Sequence, residues 1–262
     1  MRDPGLDEAI RVAGGVGALA RKIGISQPSI SNWSRVPAER VLSVEALTGV
    51  DRAVLRPDLY AERLADTEIN PDLDEIDAAR AHEYALLSAL LLRAPDAALL
   101  ARIAGLCGDA SPLGVAHAAL SDVAVRSEAA RVEREYFDLF IGLGRGELLP
   151  YGSYYLTGFL HERPLARLRA DLSELGIARS EGQAEPEDHA AILCEIMAGL
   201  VSGRFPAPAG AGRALFEHHM APWIGRFFAD LEQAEAADFY RRLGTLGRVF
   251  IDIEKDAFAL PS

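Results

Sequence analysis

The sequence predicts an all-α protein in two parts, a small helix-turn-helix domain and a larger all-helical domain, and three observations carry that expectation. Half of the 262 residues are hydrophobic, yet β-branched residues nowhere build the alternating runs that strands require. Gly and Pro fall where helices would stop and start. Charge divides unevenly: residues 1–60 hold eight Arg and Lys against seven Asp and Glu, and the remainder holds 19 against 32. A chain this long buries a sizeable core, and such an asymmetry marks two domains with different partners. The boundaries read as 1–60, an acidic linker at 61–77 with seven Asp and Glu, and 78–262.

In the first part, Leu6, Ile10 and Ala13 share one helical face that stops at Gly14-Gly15, and Val16, Leu19, Ala20 and Ile23 recur at helical spacing until Gly24. Ser26 suits an N-cap, Gln27 and Pro28 the first turn, and Ile30 and Trp33 point inward. A fourth segment runs from Pro37 to Gly49. Helix, short glycine turn, helix is the helix-turn-helix layout, whose second helix enters the DNA major groove. Its outward residues here would be Gln27, Ser29, Ser31 and Asn32, and Gln and Asn read adenine with paired hydrogen bonds. Arg21, Lys22, Arg35 and Arg40 offer phosphate contacts around them. "LARKIGISQPSISNW" followed by "VPAERVLSVEALTGVDRAVLRPDLY" resembles a Cro/YdaS-type repressor domain over residues 6–60, with Pro28 departing from the usual residue. The resemblance implies DNA as a partner, and useful affinity implies a homodimer with two recognition helices about one DNA turn apart.

From Asp74 onward, helix follows helix. "EYALLSALLLRAPDAALLARIAG" holds two, broken at Pro95 and ended at Gly105. Ser111 caps the next, with Pro112 at its first position, and further along Val132, Tyr136, Leu139 and Phe140 share a face. "GLGRGELLP" has glycines beside an Arg but lacks the strand, the Lys-Ser/Thr ending and the spacing of a phosphate loop. "PLARLRADLSELGI", "ALFEHHMAPWIGRFFADLEQA" with a break at Pro222, and "ADFYRRLGTLGRVFIDIEKDAFAL" continue the pattern to a total of eight or nine helices in this part.

One stretch asks for more than a fold. "QAEPEDHAAILCEIM" sets three acids, a Pro and a His before an apolar run. A helix beginning at Pro186 explains part of it, because Glu187 and Asp188 would then lie in the first turn, where the helix dipole favours negative charge. Glu185 is a poor cap and His189 gains nothing there, so a second reading stays open: carboxylates at a loop-to-helix corner accepting the guanidinium groups of a bound peptide.

"EPEDH" before an apolar helix resembles the signature of the TorD/DmsD-like redox-enzyme maturation chaperones, which include the nitrate reductase assembly subunits. "EYALLSALLLRAPDAALLARIAGL", "REYFDLFIGLGRGELLPYGSYYLTG" and "HHMAPWIGRFFADLE" resemble three further family segments, in order, over residues 78–258. The resemblance implies a cytoplasmic all-helical chaperone that binds the precursor of a molybdoenzyme catalytic subunit by its twin-arginine leader or N-terminal segment until the cofactor is loaded. It carries over Glu185, Pro186, Asp188 and His189, with Glu187 at the motif's variable place, and Tyr151, Ser153, Tyr154, His219, Pro222 and Trp223 from the other segments. Glu187 and Asp188 would face leader arginines, and Tyr154 and Trp223 would line an apolar groove. Formate dehydrogenase is the client the reading leans to.

Catalysis is not expected, since no nucleophile elbow, HExxH or opposed carboxylate pair is present. No cofactor is expected, and no metal: Cys107 and Cys194 have no partner at ligand spacing, and adjacent helical residues such as His218 and His219 diverge by about 100°. No basic segment precedes an apolar stretch at the start, and no apolar run nears roughly twenty residues, so neither secretion nor membrane insertion is expected. The other reading is a transcriptional regulator whose helical domain serves as a sensor or dimerisation module.

Overall fold

The computed structural model describes residues 3–37, 40–50, 55–56, 73–179 and 184–259, the side chain of Leu42 excepted. Most of the expected linker at 61–77 therefore lies outside the described residues. The chain divides into two compact units, Met1–Asp66 and Thr67–Ser262. Both are helical, with no strand among the described residues beyond one isolated bridge.

In the first unit α1 (Pro4–Ala13) starts at Asp3, whose side chain accepts from the Gly5 amide, and ends at Gly14 with φ 88°, a left-handed conformation that a Cβ disfavours. Helices α2 (Val16–Ile23) and α3 (Gln27–Ser31) follow as expected, and Ser26 caps α3 by accepting from the Ser29 amide. Helix α4 (Val41–Thr48) begins later than the expected Pro37, and the Arg40 amide donates to the Pro37 carbonyl at 2.9 Å. Leu6, Leu19, Ile30, Val41, Val44 and Leu55 form the core, with Trp33 partly buried against it.

The second unit holds ten α-helical stretches and two π segments among the described residues, against the eight or nine helices expected. Asp74 caps α5 (Glu75–Leu92) and Asp96 caps α6 (Ala97–Ile103). The segment that opens at Ser111 splits into α7 (Pro112–Arg126) and α8 (Ala129–Tyr136), because Ser127 and Glu128 turn extended and the Ser127 hydroxyl donates to the Val123 carbonyl. A π segment follows (Phe137–Ile141), then α9 (Gly152–Thr157), α10 (Arg163–Glu174) and α11 (Ala190–Val201). Helix α12 (Ala211–Leu215) runs into a second π segment (Phe216–Met220), and α13 (Ile224–Gln233) and α14 (Phe239–Ala259) complete the order.

Helix α11 is apolar nearly all round and packs mainly on α5, while α14 packs on α13 and α7. The fully buried Glu254 of α14 accepts from Arg80 at 2.7 and 2.9 Å and from Tyr84 at 2.8 Å, so this buried charge is paired and hydrogen-bonded, as burial demands. Two further acids accept from backbone amides, one buried and one exposed. Glu135 accepts from the amides of Asp238, Phe239 and Tyr240 with both its oxygens and so caps α14 from a distant helix. Glu147 does the same for the amides of Glu235 and Ala236.

Candidate functional site

Two chain segments meet where the EPEDH stretch enters α11. The Tyr151 and His189 backbones form an isolated antiparallel bridge, the Ala190 amide donates to the Pro150 carbonyl (2.8 Å), and the Gly152 amide donates to the Asp188 carbonyl (2.9 Å). These bonds fix the starts of α9 and α11 side by side. Gly152 fits closely there: a Cβ would stand 3.0 Å from the Trp223 indole nitrogen, so the indole would have to shift to admit one.

The helix start differs from the one expected. Helix α11 begins at Ala190 rather than Pro186, and its cap is His189, whose Nδ1 accepts from the Ala191 amide at 3.1 Å. Burial pushes the imidazole down to about 4, against Glu185 and Asp188, which pull it up. A neutral ring with a free lone pair is what the cap needs. Glu187 and Asp188 therefore lie before the helix, not in its first turn.

The two acids expected to act together turn to different sides. Glu187 meets Arg169 of α10, whose guanidinium donates at 2.8 and 2.9 Å, across a pocket of about 490 Å³ that also takes in Arg179, Glu195, Ile196 and Phe205. Burial raises the Glu187 carboxyl, but the Arg169 guanidinium outweighs it and holds the group below its ordinary value. Asp188 is 2% exposed and accepts from the Ser153 amide at 2.7 Å, capping α9. Its other oxygen, Oδ1, is buried without a hydrogen-bond partner, and the residue lines a pocket of about 360 Å³ with Gly152, Leu156, Asp171, His218 and His219. Arg167 stands at the same pocket.

The other expected residues are distributed around this corner. Tyr151 donates to Glu185 at 2.7 Å and lies edge-on to His189; burial, then that carboxylate, raises its phenol above the ordinary value. Pro186 is half-buried, and its carbonyl accepts the His189 amide. The buried Ser153 accepts the His161 amide on its hydroxyl. Tyr154 takes a hydrogen bond from Arg145 at 2.6 Å at the rim of another pocket. Pro222 is exposed. Trp223 corrects the groove reading: it is buried, its indole nitrogen donates to the His219 carbonyl at 2.7 Å, and it stacks near Tyr155 and Phe227. The divergence expected of His218 and His219 is also overturned. Their ring nitrogens and an oxygen of Asp171 all lie within 4.8 Å of one another, because a Cβ direction does not fix where a rotatable ring ends, and this turn is a widened π turn. Asp171, Arg167 and Leu156 gave no sequence signal, since each reads as an ordinary residue of an exposed face.

In the first unit the residues expected to meet DNA are on the surface. Arg21, Lys22, Gln27, Ser29, Ser31, Asn32, Arg35 and Arg40 are exposed while Ile30 is buried. The Ser31 hydroxyl donates to the Gln27 carbonyl and Ser29 shares a hydrogen bond with Ser26, so two of the short polar groups are engaged locally. The Gln27 carboxamide lies over α2, close enough that a Cβ on Gly17 would approach it to 3.3 Å.

Residues 108–229 match the family model described as nitrate reductase delta subunit, and residues 6–64 match that of bacterial toxin YdaS. Chaperone protein TorD of Vibrio cholerae is 28% identical over 130 residues, 46% of this chain and 59% of that protein. The Probable Tat proofreading chaperone DmsD of Haemophilus influenzae is 32% identical over 117 residues, 44% of this chain and 56% of that protein. The chain thus spans less than two thirds of the curated relatives it matches. A crystal structure described as a redox enzyme maturation protein from Archaeoglobus fulgidus has a TM-score of 0.42 at 20% identity, covering 67% of this chain and 93% of that one. Both resemblances read from the motifs are thereby matched, and the named relatives are chaperones rather than enzymes.

Proposed function

We propose that the second unit is a chaperone for the maturation of a molybdoenzyme, binding an arginine-bearing leader of the catalytic-subunit precursor at the Asp188 pocket. The observation that carries the reading is the unpartnered Asp188 Oδ1. Glu135, the comparable helix-capping carboxylate, spends both oxygens on backbone amides, whereas Asp188 spends one. A buried carboxylate oxygen left unpaired is costly, and a guanidinium entering the pocket would satisfy it with a charge-assisted hydrogen bond. The 32 acids against 19 bases outside residues 1–60 favour a basic partner by steering. Glu187 does not serve as a second anchor, because Arg169 already occupies it. No described helix is long and apolar enough to cross a membrane, in keeping with a chaperone that works in the cytoplasm.

Anisotropy titration of a labelled twin-arginine leader peptide against the full chain tests this. Saturable binding should weaken at least about tenfold in Asp188→Asn, which keeps the shape but removes the charge, and change less than about twofold in Glu187→Gln. Equal affinity for Asp188→Asn and wild type would remove the leader from this pocket. Pull-down from native cells then names the client, with formate dehydrogenase the expected one.

The first unit supports a DNA-binding head that couples client status to transcription. What supports this reading is the polar, exposed surface of α3 with the exposed Arg21, Lys22 and Arg35, and a homodimer would set two such helices on successive major-groove faces. If leader binding failed while selective DNA binding held, the regulator reading would replace the chaperone one.

A further inference from the structure

The geometry points to a divalent transition-metal site, of the zinc type, formed by Asp171 of α10 with His218 and His219 of the second π segment. The three ligand atoms lie within 4.8 Å of one another. With metal–ligand bonds of about 2.0–2.1 Å, tetrahedral ligand atoms stand about 3.3–3.4 Å apart, so small side-chain rotations bring them into place. The His219 Nε2–Asp171 Oδ2 contact of 2.6 Å would open as the metal enters between them. Two imidazoles and a carboxylate select Zn²⁺ or its neighbours over Mg²⁺ and Ca²⁺, which prefer all-oxygen shells.

The surroundings suit an open rather than a closed site. Three protein ligands leave a fourth position, and all three residues line the Asp188 pocket, so that position faces the cavity. The His219 backbone carbonyl accepts from the Trp223 indole and the His219 side chain is 9% exposed, whereas His218 is exposed. The Asp171–His219 hydrogen bond by itself would be an ordinary structural pair; it gives no reason for His218 to bring its ring nitrogen to the same point. Metal binding would tie α10 to the π segment and, by favouring the folded state, stabilise the unit.

The metal site shares the Asp188 pocket with the proposed leader site, but no peptide is needed to test it, so failure of metal binding and failure of leader binding are read separately. Full-length chain carrying Cys107→Ser, which removes the exposed thiol as a competing ligand, is stripped with chelator and titrated with Co²⁺ and then Zn²⁺. One Co²⁺ should bind per chain, with the visible absorption of a low-coordinate site, and Zn²⁺ should displace it and raise the melting temperature. His218→Ala and Asp171→Asn should each weaken binding at least about tenfold, and His218→Ala should leave the melting temperature in chelator unchanged. Absence of the Co²⁺ spectrum, or binding in His218→Ala equal to that of the parent, would overturn the site. The exposed His218 is the better probe of the two imidazoles, since replacing His219 would also remove its contact with Asp171.

Discussion

Helix α3 and the EPEDH corner both set short polar residues beside an apolar run, yet they use them in opposite ways. In α3 the pattern sorts outward and inward residues as a helix should: Gln27, Ser29, Ser31 and Asn32 are exposed and Ile30 is buried. At the corner the polar residues turn inward and serve helix ends, His189 capping α11 and Asp188 capping α9. A polar residue in a regular helix is aimed by the period. One in a loop between helix starts is aimed by whichever orphan amides lie nearest. Substitutions at the corner should therefore move stability, and substitutions on α3 should not.

The largest effect belongs to Trp223, expected as a groove residue and found in the core. Trp223→Ala removes a fully buried indole and its hydrogen bond, so urea denaturation should show a loss of about 3–5 kcal/mol. A loss below about 1 kcal/mol would return the residue to the surface and weaken the contrast.

His189 gives a smaller, pH-dependent effect. Its folded-state value of about 4 lies below the ordinary 6.5, so the folded protein holds the neutral ring. The associated stability is present above the unfolded value and is lost as pH falls from about 6.5 towards 4, where the unfolded chain takes up a proton that the folded one refuses. His189→Asn keeps an N-cap acceptor without titrating. Between about pH 7 and pH 5 the wild type should lose on the order of 2 kcal/mol more than the variant, measured by denaturation at each pH. Parallel pH profiles would show that the ring is not buried neutral.

What is legible in the sequence follows the same line. Helix order, the Gly14 and Gly24 stops, and the Ser26, Ser111 and Asp74 starts come from local signals that act within a turn of chain. The start of α11 is masked because Pro186 and two acids imitate a first turn, while the real start is fixed by the Pro150 carbonyl and the Tyr151 bridge from a segment more than thirty residues away. The pairing of Glu187 with Arg169 and the convergence of Asp171 with His218 and His219 likewise depend on where α10 lies, which no periodicity records. The motif resemblance located the corner; only the fold separated its two acids into different pockets.

The smallest stability effect is the sharpest test of the contrast. Gln27→Ala with Asn32→Ala deletes two exposed carboxamides, and neither buries apolar surface with the core of the first unit. Folding stability should stay within about 0.5 kcal/mol of wild type. Sequence-selective mobility shifts of duplex DNA should disappear, because each lost bidentate base contact costs about 1–3 kcal/mol of discrimination. Residual salt-dependent binding without selectivity should persist through Arg21, Lys22 and Arg35, which are untouched. If the double variant instead unfolded the first unit, the Gln27 carboxamide resting over Gly17 would be a structural contact, and α3 would resemble the corner after all. If both stability and selectivity were unchanged, base reading would have to come from elsewhere than this helix.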